Sequence, residues 1–334
     1  MSTTIKMIAH KLSLSVATVS KALADSHEIS KETKLLVSNA AQEMGYVRNP
    51  YASSLRKGRS KTIAIVIPEI ADSFFAEAIN GIEEVALLQG YHVLIYLTHE
   101  SLLREQAILQ DFRSGRVDGI LMSVSEETND TEHIKTLMES QVPVVFFDRV
   151  CEELNTTCVV TDDFESSFIA TNHLISKGCS KIAFMGNSIN LAINRNRVNG
   201  YIEALKQNGL SDYQNVVICG KDKEISQQIF ADLLSGPERP DGMILSVEKL
   251  SAMLYQICED MMIDIPSQLK VLTFTNFNMA QFLSPSLTTV KQPAFQMGKV
   301  AATALLRKLS FNNTLAEPET VILPSVITFR KSTS

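Results

Sequence analysis

Apolar residues near the start of the chain recur at helical spacing. Ile5, Ile8, Ala9 and Leu12 share one face of a helix over residues 5–12. Residues 13–15 break the pattern. Ser15 is placed to cap a second helix whose apolar positions are Val16, Val19, Ala22 and Leu23. Ala17, Thr18, Ser20 and Lys21 are then its more exposed positions. Two helices this short need a third to close a core. The spacing predicts it over residues 33–44, with Leu35, Val37, Ala40, Ala41 and Met44 inward and Gly45 as the stop.

From residue 62 the pattern changes. Short β-branched runs alternate with longer stretches of helical period. Strands are expected at 62–68, 91–96, 117–124, 143–148, 181–185, 215–218, 242–245, 270–274 and near 321–323. Helices are expected at 74–89, 102–112, 134–140, 166–177, 195–208, 225–234, 250–262 and 295–309. This alternation is that of a parallel α/β sheet. The cycle runs twice, with a faint echo: Val117-Asp118-Gly119-Ile120 returns as Pro240-Asp241-Gly242-Met243.

Charge follows the same division. Residues 1–61 hold ten Lys/Arg against four Asp/Glu, while the remainder holds 21 against 33. A small basic module on a large acidic body implies that only the small part meets a polyanion. A tight two-helix unit in that module points to a helix-turn-helix, whose second helix enters the DNA major groove. A three-helix protein-binding module is the alternative. Residues 46–61, YVRNPYASSLRKGRSK, add a short candidate helix beginning at Asn49-Pro50, with Leu55 apolar and Arg56, Lys57, Arg59 and Lys61 around it. Such a segment could fold on DNA, with Leu55 wedged between minor-groove base steps; a solvated linker is the alternative.

Several classes are excluded. The opening MSTTIKMIAHKLSL has no continuous apolar core, so no signal peptide is expected, and the expected location is the cytoplasm. No apolar run approaches the ~20 residues of a bilayer span. The five cysteines form no CxxC pair and fit free thiols; neither a metal nor a cofactor is expected. No GxSxG, HExxH or P-loop is present, and the six histidines do not cluster, so an enzyme is not expected.

The head and linker resemble the LacI/GalR family of transcription regulators. Thr4-Ile5, Ile8-Ala9, Leu14-Ser15, Thr18-Val19-Ser20 and Leu23 stand in register with the family's head pattern. Tyr46, Asn49, Ala52 and Leu55 match its hinge. Met7, Ser13 and Lys21 replace the common Asp, Gly and Arg. The resemblance implies DNA contacts by Thr4, Ser15, Val16, Ala17, Thr18, Ser20, Lys21, Asn49, Leu55 and Lys57. Val16 and Ala17 would face bases, and Leu55 would be the minor-groove lever. It also implies the architecture: an all-α headpiece over residues 1–48, a hinge helix over 49–61, and a two-lobed periplasmic-binding-protein-like effector and dimerisation domain over 62–334. Lobe one would take about 62–160 plus 291–321, and lobe two about 161–290 plus 322–334.

In such a fold the ligand sits between the lobes, at the carboxyl ends of strands. Candidate effector residues there are Ser73, Phe74, Ser123, Asp148, Arg197, Lys221, Glu248, Thr275 and Asn276. By resemblance Arg197, in the run Arg197-x-x-Gly200-Tyr201, clamps the ligand. As a charged fork at a helix start, Arg197 is expected to have little packing role. Thr275 stands where the family places a ligand carboxylate, which puts a simple neutral hexose in doubt. The expected protein is a homodimeric repressor of carbohydrate-utilisation genes. It would bind a palindromic double-stranded operator, answer a sugar or sugar derivative, and have no contact with membranes. The alternative is a regulator answering a nucleobase or other non-sugar metabolite, or an activator.

Overall fold

The computed structural model describes residues 3–46, 60–188, 190–220, 222–310 and 317–334. The chain divides into two compact units, Met1–Gly58 and Arg59–Ser334. In the first, α1 (Ile5–Lys11), α2 (Val16–Leu23) and α3 (Lys31–Glu43) enclose a core centred on Ile8, Val19 and Val37. Ser15 and Ser30 cap α2 and α3, accepting the N–H of Thr18 and Thr33 at 3.0 and 3.2 Å. Ser13 sits at φ 52°, the left-handed conformation that the family's glycine adopts without strain. Two inward assignments fail. Leu35 is 65 % exposed and Val16 is also exposed. On α3 the turn through Val37, Ala40 and Ala41 faces the core, which rotates Leu35 away.

The second unit contains two six-stranded sheets. The first joins β1 (Thr62–Ile67), β2 (His92–Leu97), β3 (Gly119–Met122), β4 (Val144–Phe147), β5 (Cys158–Thr161) and β11 (Thr320–Leu323), in the order β11-β5-β4-β3-β1-β2. The second joins β6 (Ile182–Gly186), β7 (Asn215–Ile218), β8 (Gly242–Leu245), β9 (Lys270–Phe274), β10 (Thr288–Lys291) and β12 (Val326–Thr328), in the order β12-β10-β9-β8-β6-β7. All pairings are parallel except β10 with β12. Sequence pattern missed β5, β10 and β12. All three follow another strand with no α-helix between, so the alternation of helix and strand does not mark them.

Helices cover both faces of each sheet, so strands such as β1 are buried throughout. Ile63, Ile65 and Ile67 of β1 join one core, and Ala64 and Val66 join the opposite one. The helices are α4 (Ser73–Leu88), α5 (Leu102–Phe112) and α6 (Glu132–Glu139), then α7 (Asp163–Ser176), α8 (Ala192–Gln207), α9 (Lys223–Ser235), α10 (Lys249–Asp260) and α11 (Ala294–Ser310). The chain passes between lobes after β5, after β10 and after β11.

The faint repeat now has a cause. Asp118 accepts the backbone N–H of Ser60 and Lys61 at 2.5 and 3.0 Å, tying the start of β1 to the start of β3. Asp241 accepts those of Ser180 and Lys181 at 2.8 and 2.9 Å and does the same for β6 and β8. The following glycines lie against neighbours that a Cβ would crowd: Leu305 at 2.9 Å for Gly119, and Cys179 at 3.0 Å for Gly242.

Candidate DNA interface and interlobe cleft

In the headpiece, Thr4 precedes α1 and Ser15 precedes α2. Val16 and Ala17 form the exposed first turn of α2, and the Thr18 hydroxyl lies 2.8 Å from that of Ser15. Ser20 is half-buried, and Lys21 is exposed and ion-paired with Glu28. Both partners of that pair are about half exposed, so it is readily exchanged for a phosphate or a base edge. The small apolar groups at the tip of α2 suit contact with thymine methyls. Asn49, Leu55 and Lys57 lie outside the described residues.

Between the lobes, side chains from several strand ends converge. From lobe one come Asp72, Phe74 and Asp148. Asp148 follows β4 with φ 63° and is 8 % exposed. The Ser123 hydroxyl is 3.4 Å from it, and Arg149 Nε is 3.8 Å away. Ser123 itself is fully buried and steadies Asp148 from behind instead of lining the cavity. Burial pushes the Asp148 carboxyl up to about 6, against the pull of Arg149 and Arg197. The neighbouring Arg149 turns to Glu100, with Nη1 at 2.8 and 2.9 Å from its two oxygens.

Lobe two supplies Arg197, Glu248, Thr275 and Asn276. The expectation that Arg197 has little packing role is wrong. It is 3 % exposed, its Nε donates to Asp163 at 2.8 Å, and its Nη1 donates to the Ser246 carbonyl at 2.7 Å. Its guanidinium lies 4.1 Å over the Phe274 ring. Only Nη2 has no partner among the described residues. The spacing to Gly200 explains the placement. A Cβ on Gly200 would stand 2.1 Å from the Phe164 carbonyl of α7, so only glycine lets α8 lie this close. That approach brings Arg197 onto Asp163 at the start of α7, and Tyr201 anchors the helix through a 2.6 Å bond to the Ile182 carbonyl.

Several polar contacts join the lobes, among them Lys291 with Glu77 at 3.3 Å. Glu248 accepts from Ser73 of lobe one and, at 2.6 Å, from Thr275 of its own lobe. Asn276 donates to Glu77 of lobe one at 2.8 Å and to the Gln292 carbonyl at 2.9 Å. Glu248 thus brings a carboxylate to the position where Thr275 lacks one. Only about 50 Å3 remains unfilled, room for a few waters. Lys221 lies outside the described residues. Asp163, Phe274 and Gln292 were missed by sequence reasoning: Asp163 follows the unrecognised β5, Gln292 the unrecognised β10, and Phe274 reads as ordinary strand. Among the described residues no His/Cys/Asp/Glu group could hold a metal, and no helix is long and apolar enough to cross a membrane.

Residues 4–49 match the family described as bacterial regulatory proteins, lacI family, and residues 171–333 match the periplasmic binding protein-like domain. Catabolite control protein A of Priestia megaterium is 29 % identical over 337 residues, covering 100 % of both chains. A LacI family transcriptional regulator from Enterococcus faecium, solved with bound ribose, is 26 % identical with TM-score 0.73 over 82 % of this chain and 98 % of that one. The lac repressor dimer bound to operator and an anti-inducer matches in fold, with TM-score 0.86 at 18 % identity over 100 % of this chain and 99 % of that one. The chain thus carries a lacI-family DNA-binding domain followed by a periplasmic-binding-protein-like domain, and its relatives are LacI-family regulators. Its relatives are transcription regulators, not enzymes.

Proposed function

We propose that the chain is a homodimeric repressor of carbohydrate-utilisation genes, controlled by a small hydroxyl-bearing effector held between the lobes. The observation that carries the effector reading is the unpartnered Nη2 of Arg197, nine-tenths buried in the cleft wall and opposite Asp148. A donor and an acceptor facing each other across a cleft suit hydroxyls, and Phe74 and Phe274 add apolar surface. The ribose in the Enterococcus faecium relative supports a sugar over a nucleobase. With so little free space, the effector enters when the Ser73–Glu248 and Glu77–Asn276 contacts part. Its binding then shifts the balance between lobe arrangements.

On the DNA side, Thr4, Ser15, Val16, Ala17, Thr18, Ser20 and Lys21 are assigned to the operator, one headpiece to each half of a palindrome. Asn49, Leu55 and Lys57 complete this set through the hinge. The effector set is Ser73, Phe74, Asp148, Arg197, Glu248, Thr275 and Asn276, with Ser123 supporting Asp148 from outside the cavity. The test is a thermal-shift screen of sugars and nucleobases, followed by operator affinity with and without each hit. A hit that weakens operator binding is expected. Hits that leave operator affinity unchanged would overturn effector control.

A further inference from the structure

The charges around the cleft do not balance. Among the described residues Asp72, Asp148 and Glu248 line it beside Arg149 and Arg197, and both of these cations are already committed. Arg149 faces Glu100, and Arg197 faces Asp163. What Arg197 offers a ligand is its unpartnered Nη2 amino group, whose N–H donors neutral oxygens satisfy, and not a free charge.

A second chamber of about 520 Å3 shares Asp148 and Ile193 with the cleft. Glu152, Glu153, Asp163 and Glu319 line it together with Asp148, and among the described residues no Lys or Arg does. Arg195, 3.7 Å from Glu152, Arg307, 3.9 Å from Glu319, and Lys308, 3.0 Å from the Thr156 hydroxyl, stand beside this chamber.

We infer that the two chambers form one acidic site that takes uncharged or cationic hydroxyl-bearing effectors and rejects their phosphorylated and carboxylated forms. The inference rests on the reading of the cleft as the effector site. A phosphate there would meet the buried Asp148 carboxylate at short range, where repulsion is weakly screened, while Glu152 and Glu319, both more than half exposed, add a weaker repulsion. Glu248 is the principal filter, because it stands at the start of α10 and its hydrogen-bond partners are the neutral hydroxyls of Ser73 and Thr275.

The test uses the full chain and calorimetry at pH 7.5. The probes are D-ribose, D-glucose, D-glucosamine, cellobiose and adenosine, set against ribose 5-phosphate, glucose 6-phosphate, gluconate and adenosine monophosphate. Each uncharged or amine probe that binds should exceed its anionic counterpart at least about 100-fold. Glu248→Gln should shrink that ratio at least tenfold. A phosphate ester that binds as tightly as its parent would overturn the inference, as would a ratio unmoved by Glu248→Gln. If no probe of either kind binds, the effector reading itself fails and takes this inference with it, a result distinct from an anion binding well.

Discussion

Lobe one and lobe two solve the same structural problems with the same residues and face the cleft with different ones. Asp118 and Asp241 each hold the backbone at the start of a central strand. Gly81 and Gly298 let α4 and α11 touch in lobe one, as Gly200 does for α7 and α8 in lobe two. At the cleft the likeness ends: Asp72, Phe74 and Asp148 face Arg197, Glu248 and Thr275. A strand start or a helix contact imposes the same demand in either lobe, so its solution can repeat. A ligand presents a different side to each lobe, and nothing there favours repetition.

The strongest way to break this comparison is Arg197→Ala. Arg197 and Asp163 both belong to lobe two, so the damage should be confined to it. Stranding Asp163 should cost about 3–5 kcal/mol in chemical denaturation. A loss under about 1 kcal/mol would mean that the pair is solvated.

Asp148→Asn should act in the opposite direction. Its carboxyl titrates near 6 in the folded state, above the ordinary 3.8. The folded chain therefore binds more protons between these values, and this group's contribution to stability falls as pH rises through that window. Above it the penalty is fully present, at most about 3 kcal/mol by the 1.36 kcal/mol-per-unit relation. Asparagine tolerates the left-handed backbone of this position, so the variant should be the more stable at pH 7 and lose that part of the pH dependence. Denaturation curves from pH 4 to 7 that superpose for both proteins would contradict this.

Gly81→Ala and Gly200→Ala sharpen the comparison. Each Cβ would stand about 2 Å from a backbone carbonyl of the facing helix, so each should cost about 1–3 kcal/mol. If one lobe tolerated its alanine, the equivalence of the two helix pairs would fail. Smallest is Ser15→Ala, which removes the cap of α2 and should lower headpiece stability by about 1 kcal/mol, read by amide exchange in that unit. No change there would mean that Ser15 serves DNA contact alone.

The helix and strand alternation of the body was legible because its long elements each bury a periodic face. The strands β5, β10 and β12, each following another strand with no α-helix between, were not. With β5 went Asp163, whose role depends on a strand end and a helix contact far apart in sequence. Arg197-x-x-Gly200-Tyr201 was readable as a motif, but its burial was not. That depends on how closely α7 and α8 approach, and local spacing does not report this. In the headpiece, Val19, Ala22 and Val37 followed periodicity, while Leu35 failed because one inward turn can be drawn two ways on a short helix.

The central claim is that the basic head reads DNA and the acidic body does not. The most direct measurement is selection from random duplex DNA, followed by equilibrium binding of the full chain and of a chain lacking residues 1–60 over a salt series. The account predicts a two-fold symmetric selected sequence, an affinity for the full chain that falls steeply with salt, and no binding by the truncated chain. Binding of the same sequence by the truncated chain, or no sequence preference in the full chain, would contradict it.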